Sequence, residues 1–457
     1  MASESHEWDT AEYTAELREN RLLYTSSTGA HGQIDLADIV GVLPDQGSTG
    51  HRILFVTRGA REDTKDSCGY LTSIKVNSLH ELSPLPVLAE LPAHLQYPEP
   101  VHIVVSTQSG TGTAQVVLEN LVQPFFSYLG IDYQVHETQS AETIHQLSRS
   151  LFLEKAIAGI NQTIILLSGD GGLVDIVDGF YKSTIPIQAA PHIALIPCGT
   201  GNAMASSIGL RSGPASGLVT LLRGRPSSVP IFAAHFSPGS KLVIDEGRKR
   251  SSIDSQEGSS ETIIYGAVVA SWGFHAALVA DSDTFEYRKF GAERFKMAAN
   301  DLLHPSDGSE PHRFKGKIMM GLPDHATGGQ SEECIEDEEH MYILATLVPR
   351  LEKDFLISPD SKPLGGQICF LRFGVLPADE VMRLMTLAYQ GGQHVQEKTV
   401  TYKEVETLHI QFKEDQERWR RVCIDGKIVA IEEGGWMKLR KEPRQLLELI
   451  KLGSERF

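Results

Sequence analysis

The sequence predicts an α/β domain on a mostly parallel sheet, preceded by a small β-rich segment and followed by an antiparallel β unit. Three observations predict it. From Val101 onward, aliphatic runs alternate with helix-length stretches, the pattern of parallel strands joined by crossover helices. Two glycine-rich runs, 30 residues apart (Gly169 to Gly199), each close an aliphatic run. Ile164-Ile165-Leu166-Leu167 enters Ser168-Gly169-Asp170-Gly171, and Ile193-Ala194-Leu195-Ile196 enters Pro197-Cys198-Gly199-Thr200-Gly201-Asn202-Ala203. After about Ser227 the helical text thins and short alternating runs replace it.

Residues 1–20 are charged, with weak helical spacing. Ile34–Val42, Ile53–Thr57 and Leu71–Val76 read as strands separated by Gly/Asp/Ser turns. Asn77 to Pro100 holds five prolines and reads as a connector. His102–Val105 is the first strand of the α/β domain, Ala114–Leu129 a helix, Tyr133–His136 a second strand and Ala141–Ala158 a second helix. The glycine runs end the third and fourth strands. Glu246–Glu261 and Asp324–His340 are polar and read as disordered insertions. Thr262–Ser271, Met341–Leu347, Gln367–Phe373, Leu408–Phe412, Arg421–Ile424 and Met437–Leu439 read as strands. Arg288–Leu303 and Ala378–Ala388 read as helices. The expected divisions are 1–96, 97–235 and 236–457.

A chain of 457 residues accommodates two or three domains, and 41% hydrophobic with 22% charged residues is globular composition. The net charge of −17 argues against nucleic acid, whose phosphates need a basic face. Five scattered cysteines, with no CxxC, give neither a disulfide framework nor a zinc site, and fit the cytoplasm. The N-terminus is polar and acidic, unlike a signal peptide. No apolar run reaches the roughly 18 residues of a transmembrane helix, so membrane contact is expected to be peripheral and reversible. Oligomeric state is not legible.

A strand that stops at glycines and hands over to a helix presents backbone N–H groups to an anion. Ser106-Thr107-Gln108-Ser109-Gly110-Thr111-Gly112-Thr113 has the same character after the first strand. The lysine of a Walker loop and the Rossmann G-x-G-x-x-G are both absent. Asp170 stands inside the first glycine run, where a carboxylate repels phosphate unless it binds a metal or takes a proton.

Together these strings resemble the diacylglycerol kinase catalytic family, especially its sphingosine kinase and ceramide kinase branch. The family's N-P-x-x-G loop stands as Ser106–Gly110, and its S/G-G-D-G-x-x-x-E-x-x-N-G as Ser168–Gly179. P-x-G-S/T-G-N-x-x-A is intact as Pro197–Ala205. Trp272-Gly273-Phe274 with Tyr287–Phe295 is similar to a sphingosine kinase string, and V-D-G-E stands as Ile424–Lys427. The resemblance spans about 100–445. It implies a two-domain lipid kinase fold, an α/β nucleotide-binding domain on an antiparallel β-sandwich, using ATP and Mg²⁺ on a lipid hydroxyl at a membrane surface. A sphingoid base is the substrate it points to, with diacylglycerol or ceramide as alternatives. The segment opening at Ile34–Val42 is similar to the pleckstrin-like part of some of these kinases.

The resemblance also implies roles. Asp170 accepts or orients the hydroxyl proton. Ser106, Ser109, Gly110, Thr138, Ser168, Gly169, Gly171, Gly199, Thr200, Gly201, Asn202, Arg288, Arg294 and Asp425 line the nucleotide. The six-residue spacing of Arg288 and Arg294 requires a bend to bring them together. Asp281 and Asp175 face the lipid. No metal ligand is assigned. The chain departs from the family at Ser106 (Asn), Thr107 (Pro), Asp175 (Glu), Asp178 (Asn), Cys369 (Asp) and Lys427 (Glu). Either Lys427 neutralises phosphate as a point charge, or the metal site is weak and the chain is an inactive lipid- or nucleotide-binding relative. The sequence leaves both open.

Overall fold

The computed structural model describes residues 11–45, 50–57, 68–77, 85, 87–107, 110, 112–210, 213–253, 262–291, 293–324 and 329–453. The α/β layer rests on six strands in the order Arg225–Ser228, Glu448–Lys451, His192–Pro197, Thr163–Ser168, Val101–Val105, Tyr133–Glu137. All but the antiparallel edge strand Arg225–Ser228 run parallel. Val101–Val105 and Thr163–Ser168 are buried along their whole length, because helices cover both faces of a parallel sheet. The two expected crossover helices are present. Each carries a π turn, Leu118–Val122 and Ser148–Phe152. In the first, Pro124 has no N–H to return to the Asn120 carbonyl, which interrupts the regular ladder.

Two antiparallel sheets form the sandwich. One runs Thr262–Gly266, Ile231–Phe236, Trp436–Glu442, Thr407–Phe412, Phe314–Asp324, Gly329–Cys334. The other runs Lys249–Ser252, Lys241–Ile244, Lys427–Ala430, Arg421–Ile424, Val269–Gly273, Tyr342–Thr346, Ile368–Phe373, Val400–Val405. Trp272 is fully buried and meets Phe314, His340 and Phe412 edge-on. The N-terminal sheet orders as His31–Asp35, Arg21–Ser26, Glu12–Arg18, Tyr70–Val76, His51–Thr57, Ile39–Pro44. It docks on helix Pro214–Arg223, where a Cβ on Gly41 would come within 2.8 Å of Leu222.

Several expectations need correction. Glu12–Arg18 is a strand, and the alternation of Tyr13, Ala15 and Leu17 is its signal; residues 1–10 lie outside the described residues. Ile34–Val42 is split by a 3₁₀ turn at Leu36–Asp38. Thr262–Ser271 is two strands in different sheets, Thr262–Gly266 and Val269–Gly273. The expected insertions contain strands Lys249–Ser252, Gly329–Cys334 and Glu339–His340. Two of these, Lys249–Ser252 and Gly329–Cys334, are sheet edges, where polar residues suit the exposed position; 254–261 and 325–328 lie outside the described residues. Glu448–Lys451 returns to the parallel sheet, although the sequence assigns 236–457 to the sandwich.

Candidate active site

Three loops meet at the C-terminal ends of the parallel strands, and glycine lets them touch. A Cβ on Gly199 would lie 2.3 Å from the Gly169 Cα. A Cβ on Gly110, whose φ is +59°, would lie 2.4 Å from the Cys198 carbonyl oxygen and 2.8 Å from the Gly199 Cα. These glycines are therefore loop-to-loop packing positions. Gly171 and Gly201 differ. A Cβ on Gly171 meets nothing within 4 Å, and one on Gly201 meets only the Leu351 carbonyl oxygen at 3.5 Å. These two face open space, and Thr200, beside Gly201 in the second run, is exposed.

Polar side chains lock this arrangement. Asp170, the first residue of helix Asp170–Tyr181, accepts hydrogen bonds from the Ala203 N–H (2.6 Å) and the Met204 N–H (2.9 Å). Its carboxylate thus ties the first glycine run to the helix after the second. Burial raises its pKa and the amide donors oppose the rise. Asn202 adopts a left-handed φ of 52°, accepts the Gly199 N–H at 3.0 Å and donates to the Gly199 carbonyl at 2.7 Å. Its amide is spent inside its own loop. The Ser168 hydroxyl donates to the Gly169 carbonyl at 2.9 Å, beside the Gly172 backbone. Thr138 accepts the Thr107 N–H at 3.1 Å, joining the ends of two strands. The Ser106 N–H donates to Leu167 across the sheet. Ser109 lies outside the described residues.

The sandwich supplies the facing wall. Asp425 sits at a left-handed turn (φ 48°) and accepts the N–H groups of Ala267, Val268 and Val269. It clamps the point where the chain changes sheets. Burial pushes it up to about 7, and the nearby Asp170 charge adds to the rise. Two residues on, the Lys427 ammonium donates to Asp178 of the helix that follows the first glycine run. Lys182 lies 3.7 Å from the same carboxylate. Asp175, one turn earlier, is pushed up to about 7 by burial, while Lys427 opposes the rise.

Asp281 lies in the last turn of helix Phe274–Ser282 and receives the Arg418 guanidinium at 2.6 Å, with Arg421 at 4.0 Å. Arg288 and Arg294 lie on separate helices, Phe285–Arg288 and Glu293–Leu303, and converge on Asp283 at 3.0 and 3.3 Å. The bend that their spacing requires is present. Cys369 is buried in the sandwich strand Ile368–Phe373, beside Tyr402. Sequence reasoning missed Arg418, Arg421 and the partner of Lys427. Their meetings span 137, 140 and 249 residues and leave no local signal.

This geometry suits a polyphosphate lying over Gly171 and Gly201, with acids on both walls. Among the described residues no group of three His, Cys, Asp or Glu side chains could hold a metal ion. A cavity of about 500 Å³, lined by His94, Tyr97, Tyr133 and Thr163 among others, opens at the opposite end of the same strands.

The raised Asp175 carries a stability consequence. An acid whose pKa is higher folded than unfolded holds its proton more tightly when folded. Its contribution is fullest below the ordinary carboxylate value and is lost as pH rises toward 7. Asp175→Asn is expected to raise Tm at pH 8 by a few degrees relative to its effect at pH 4. Thermal melts at both pH values check this; equal shifts at the two would contradict it.

Residues 100–234 match the family model described as the diacylglycerol kinase catalytic domain. Sphingosine kinase 1 of Arabidopsis thaliana is 22% identical over 352 residues, covering 69% of this chain and 64% of that protein. Sphingosine kinase 2 of Homo sapiens is 26% identical over 291 residues, covering 61% of this chain and 38% of that one. The chain thus spans less than two thirds of the length of these relatives. A crystal structure of a putative diacylglycerol kinase from Bacillus anthracis str. Sterne superposes with a TM-score of 0.51 at 14% identity, over 78% of this chain and 98% of that one. The two-domain arrangement, an α/β layer on an antiparallel sandwich, is that fold.

Proposed function

We propose that this chain, whose residues 100–234 match the diacylglycerol kinase catalytic domain and which is similar to sphingosine kinases, is an ATP-dependent lipid kinase acting on a sphingoid base. One observation carries the kinase reading. Three glycine loops pack backbone to backbone around Asp170, while Gly171 and Gly201 face open space where phosphates fit. Phosphoryl transfer asks mainly for positioning and charge neutralisation. In this reading Mg²⁺ enters with ATP, backbone N–H groups and Thr200 hold the phosphates, and Asp170 orients the lipid hydroxyl. Arg288 and Arg294 would reach the phosphates from Asp283.

The sphingoid reading rests on the relatives' names and on Asp281, whose carboxylate suits an ammonium head group. The Arg418–Asp281 ion pair favours a second reading, a neutral head group such as diacylglycerol or ceramide, because the acid is already neutralised. We infer reversible membrane contact from Phe285 (61% exposed) and Phe290 (44% exposed), which carry Arg248 and Lys289 over their rings. No helix among the described residues is long and apolar enough to cross a membrane.

The test measures kcat/KM with sphingosine, ceramide and diacylglycerol presented on neutral and on anionic vesicles. Asp281→Ala is expected to cost about 10–150-fold for sphingosine, the value of a charge-assisted hydrogen bond, and little for diacylglycerol. Arg418→Ala frees the acid and is expected to favour sphingosine. Equal losses for both lipids would remove Asp281 from head-group recognition. Equal rates on both vesicle types would count against an electrostatic membrane contact.

A further inference from the structure

Two of the positions where this chain departs from its family lie 249 residues apart in sequence, and they touch. Asp178 stands where the family string has Asn, and Lys427 where it has Glu. Asp178 is on helix Asp170–Tyr181 of the α/β layer; Lys427 opens strand Lys427–Ala430 of the sandwich. The Asp178 side chain is 8% exposed, and its Oδ1 is buried with no hydrogen-bond partner. A carboxylate in that setting is costly unless a cation faces it. Two cations face it: Lys182, at the end of the same helix, lies 3.7 Å away, and Lys427 donates to it from the other layer of the protein.

We propose that Asp178 and Lys427 form an ion-paired clamp across the cleft, with Lys427 a positioning residue rather than a phosphate ligand. The two substitutions compensate each other. The Lys427 ammonium is held by Asp178 and also faces Asp175, one turn earlier on the same helix. It therefore pins the helix that begins at Asp170 against the strand that follows Asp425. Placing Glu at position 427 alone would set three acids together, Asp175, Asp178 and the new side chain. Placing Asn at 178 alone would leave Lys427 with Asp175 as its facing acid. Changing both restores the pairing written in the family string. The proposal rests on the kinase reading for its catalytic part and stands without it for its structural part.

The experiment is a double-mutant cycle on the full chain: Lys427→Glu, Asp178→Asn and the two combined, with Lys427→Arg and Lys427→Met alongside. Urea unfolding reads the clamp whether or not the protein is a kinase. Label transfer from ATP to lipid reads its effect on catalysis. Lys427→Glu is expected to lower kcat with little change in the KM for ATP. The combined variant is expected to recover at least about fivefold of that loss, within the range of coupling between contacting residues. Lys427→Arg is expected to stay near the parent and Lys427→Met to lose kcat. If Lys427→Glu fails to fold, the Arg and Met variants carry the same comparison. Additive effects in the urea cycle would overturn the clamp. A raised KM for ATP in Lys427→Met with kcat unchanged would overturn the positioning role and make Lys427 a phosphate ligand. Absence of transfer in the parent, with coupling intact in urea, would overturn the positioning role and the kinase reading and leave only a structural clamp.

Discussion

Asp170→Asn is expected to lower turnover by about 10²–10⁴-fold, the contribution of a group that accepts or orients a proton in the transition state. The loss is expected to come with reduced stability, although the two side chains have the same shape. Both Asp170 oxygens accept backbone N–H groups, from Ala203 and Met204. An amide puts an NH₂ against one of those donors, so one bond is lost and one donor is left unsatisfied. Such a group costs about 1–3 kcal/mol. The measurement is turnover at equal folded fraction, with Tm recorded for each variant. Turnover within about threefold of the parent, well short of the expected range, would take Asp170 out of the chemistry. A turnover loss with unchanged Tm would contradict the clamp that its hydrogen bonds describe.

The second large effect separates two glycines that look alike in the sequence. Gly199→Val is expected to disrupt the loops themselves, because its Cβ would stand 2.3 Å from the Gly169 Cα and 2.9 Å from the Asn202 side-chain oxygen. Backbone cannot yield there without separating the two strand ends. Gly201→Val is expected to fold, since its Cβ meets only the Leu351 carbonyl at an ordinary 3.5 Å. Its isopropyl group would fill the space assigned to phosphate. Calorimetric titration with a non-hydrolysable ATP analogue, beside thermal melts, distinguishes them. The expected pattern is a lowered Tm for Gly199→Val, and a parent-like Tm with binding weakened beyond detection for Gly201→Val. Parent-like affinity in Gly201→Val would move the nucleotide away from this loop.

The sequence made the central parallel strands Val101–Val105, Thr163–Ser168 and His192–Pro197 legible because they are largely apolar runs, a pattern set by burial on both faces, whereas the short, charge-flanked parallel strand Glu448–Lys451 was not. The glycine loops were legible because glycines stop two of these runs, at Gly169 and Gly199. The sequence did not distinguish glycines that pack against a loop from glycines that face open space. That distinction depends on what lies across from them. Polar edge strands such as Lys249–Ser252 were illegible, since an exposed edge needs no apolar alternation. Glu12–Arg18 carried the alternation, but its charges masked it. The largest gap is in the acids. Asp170 and Asp425 stood out as candidate site residues, yet each spends its oxygens on backbone amides of a distant segment. In the sequence Lys427 is an isolated reversal of charge; its partner Asp178 lies 249 residues away. Long-range pairing of this kind has no period and no local composition.

That pairing bears on whether the chain is an active kinase or an inactive relative. The measurement that tests the kinase reading most directly is transfer of the labelled γ-phosphate of Mg·ATP to an organic-extractable lipid, with the parent and Asp170→Asn run side by side. The predicted result is label in a lipid product for the parent, with sphingosine the best acceptor, and at least about 10²-fold less for Asp170→Asn. ATP bound by the folded parent, with no label in any lipid offered, would contradict the account and leave a nucleotide-binding protein without transferase activity.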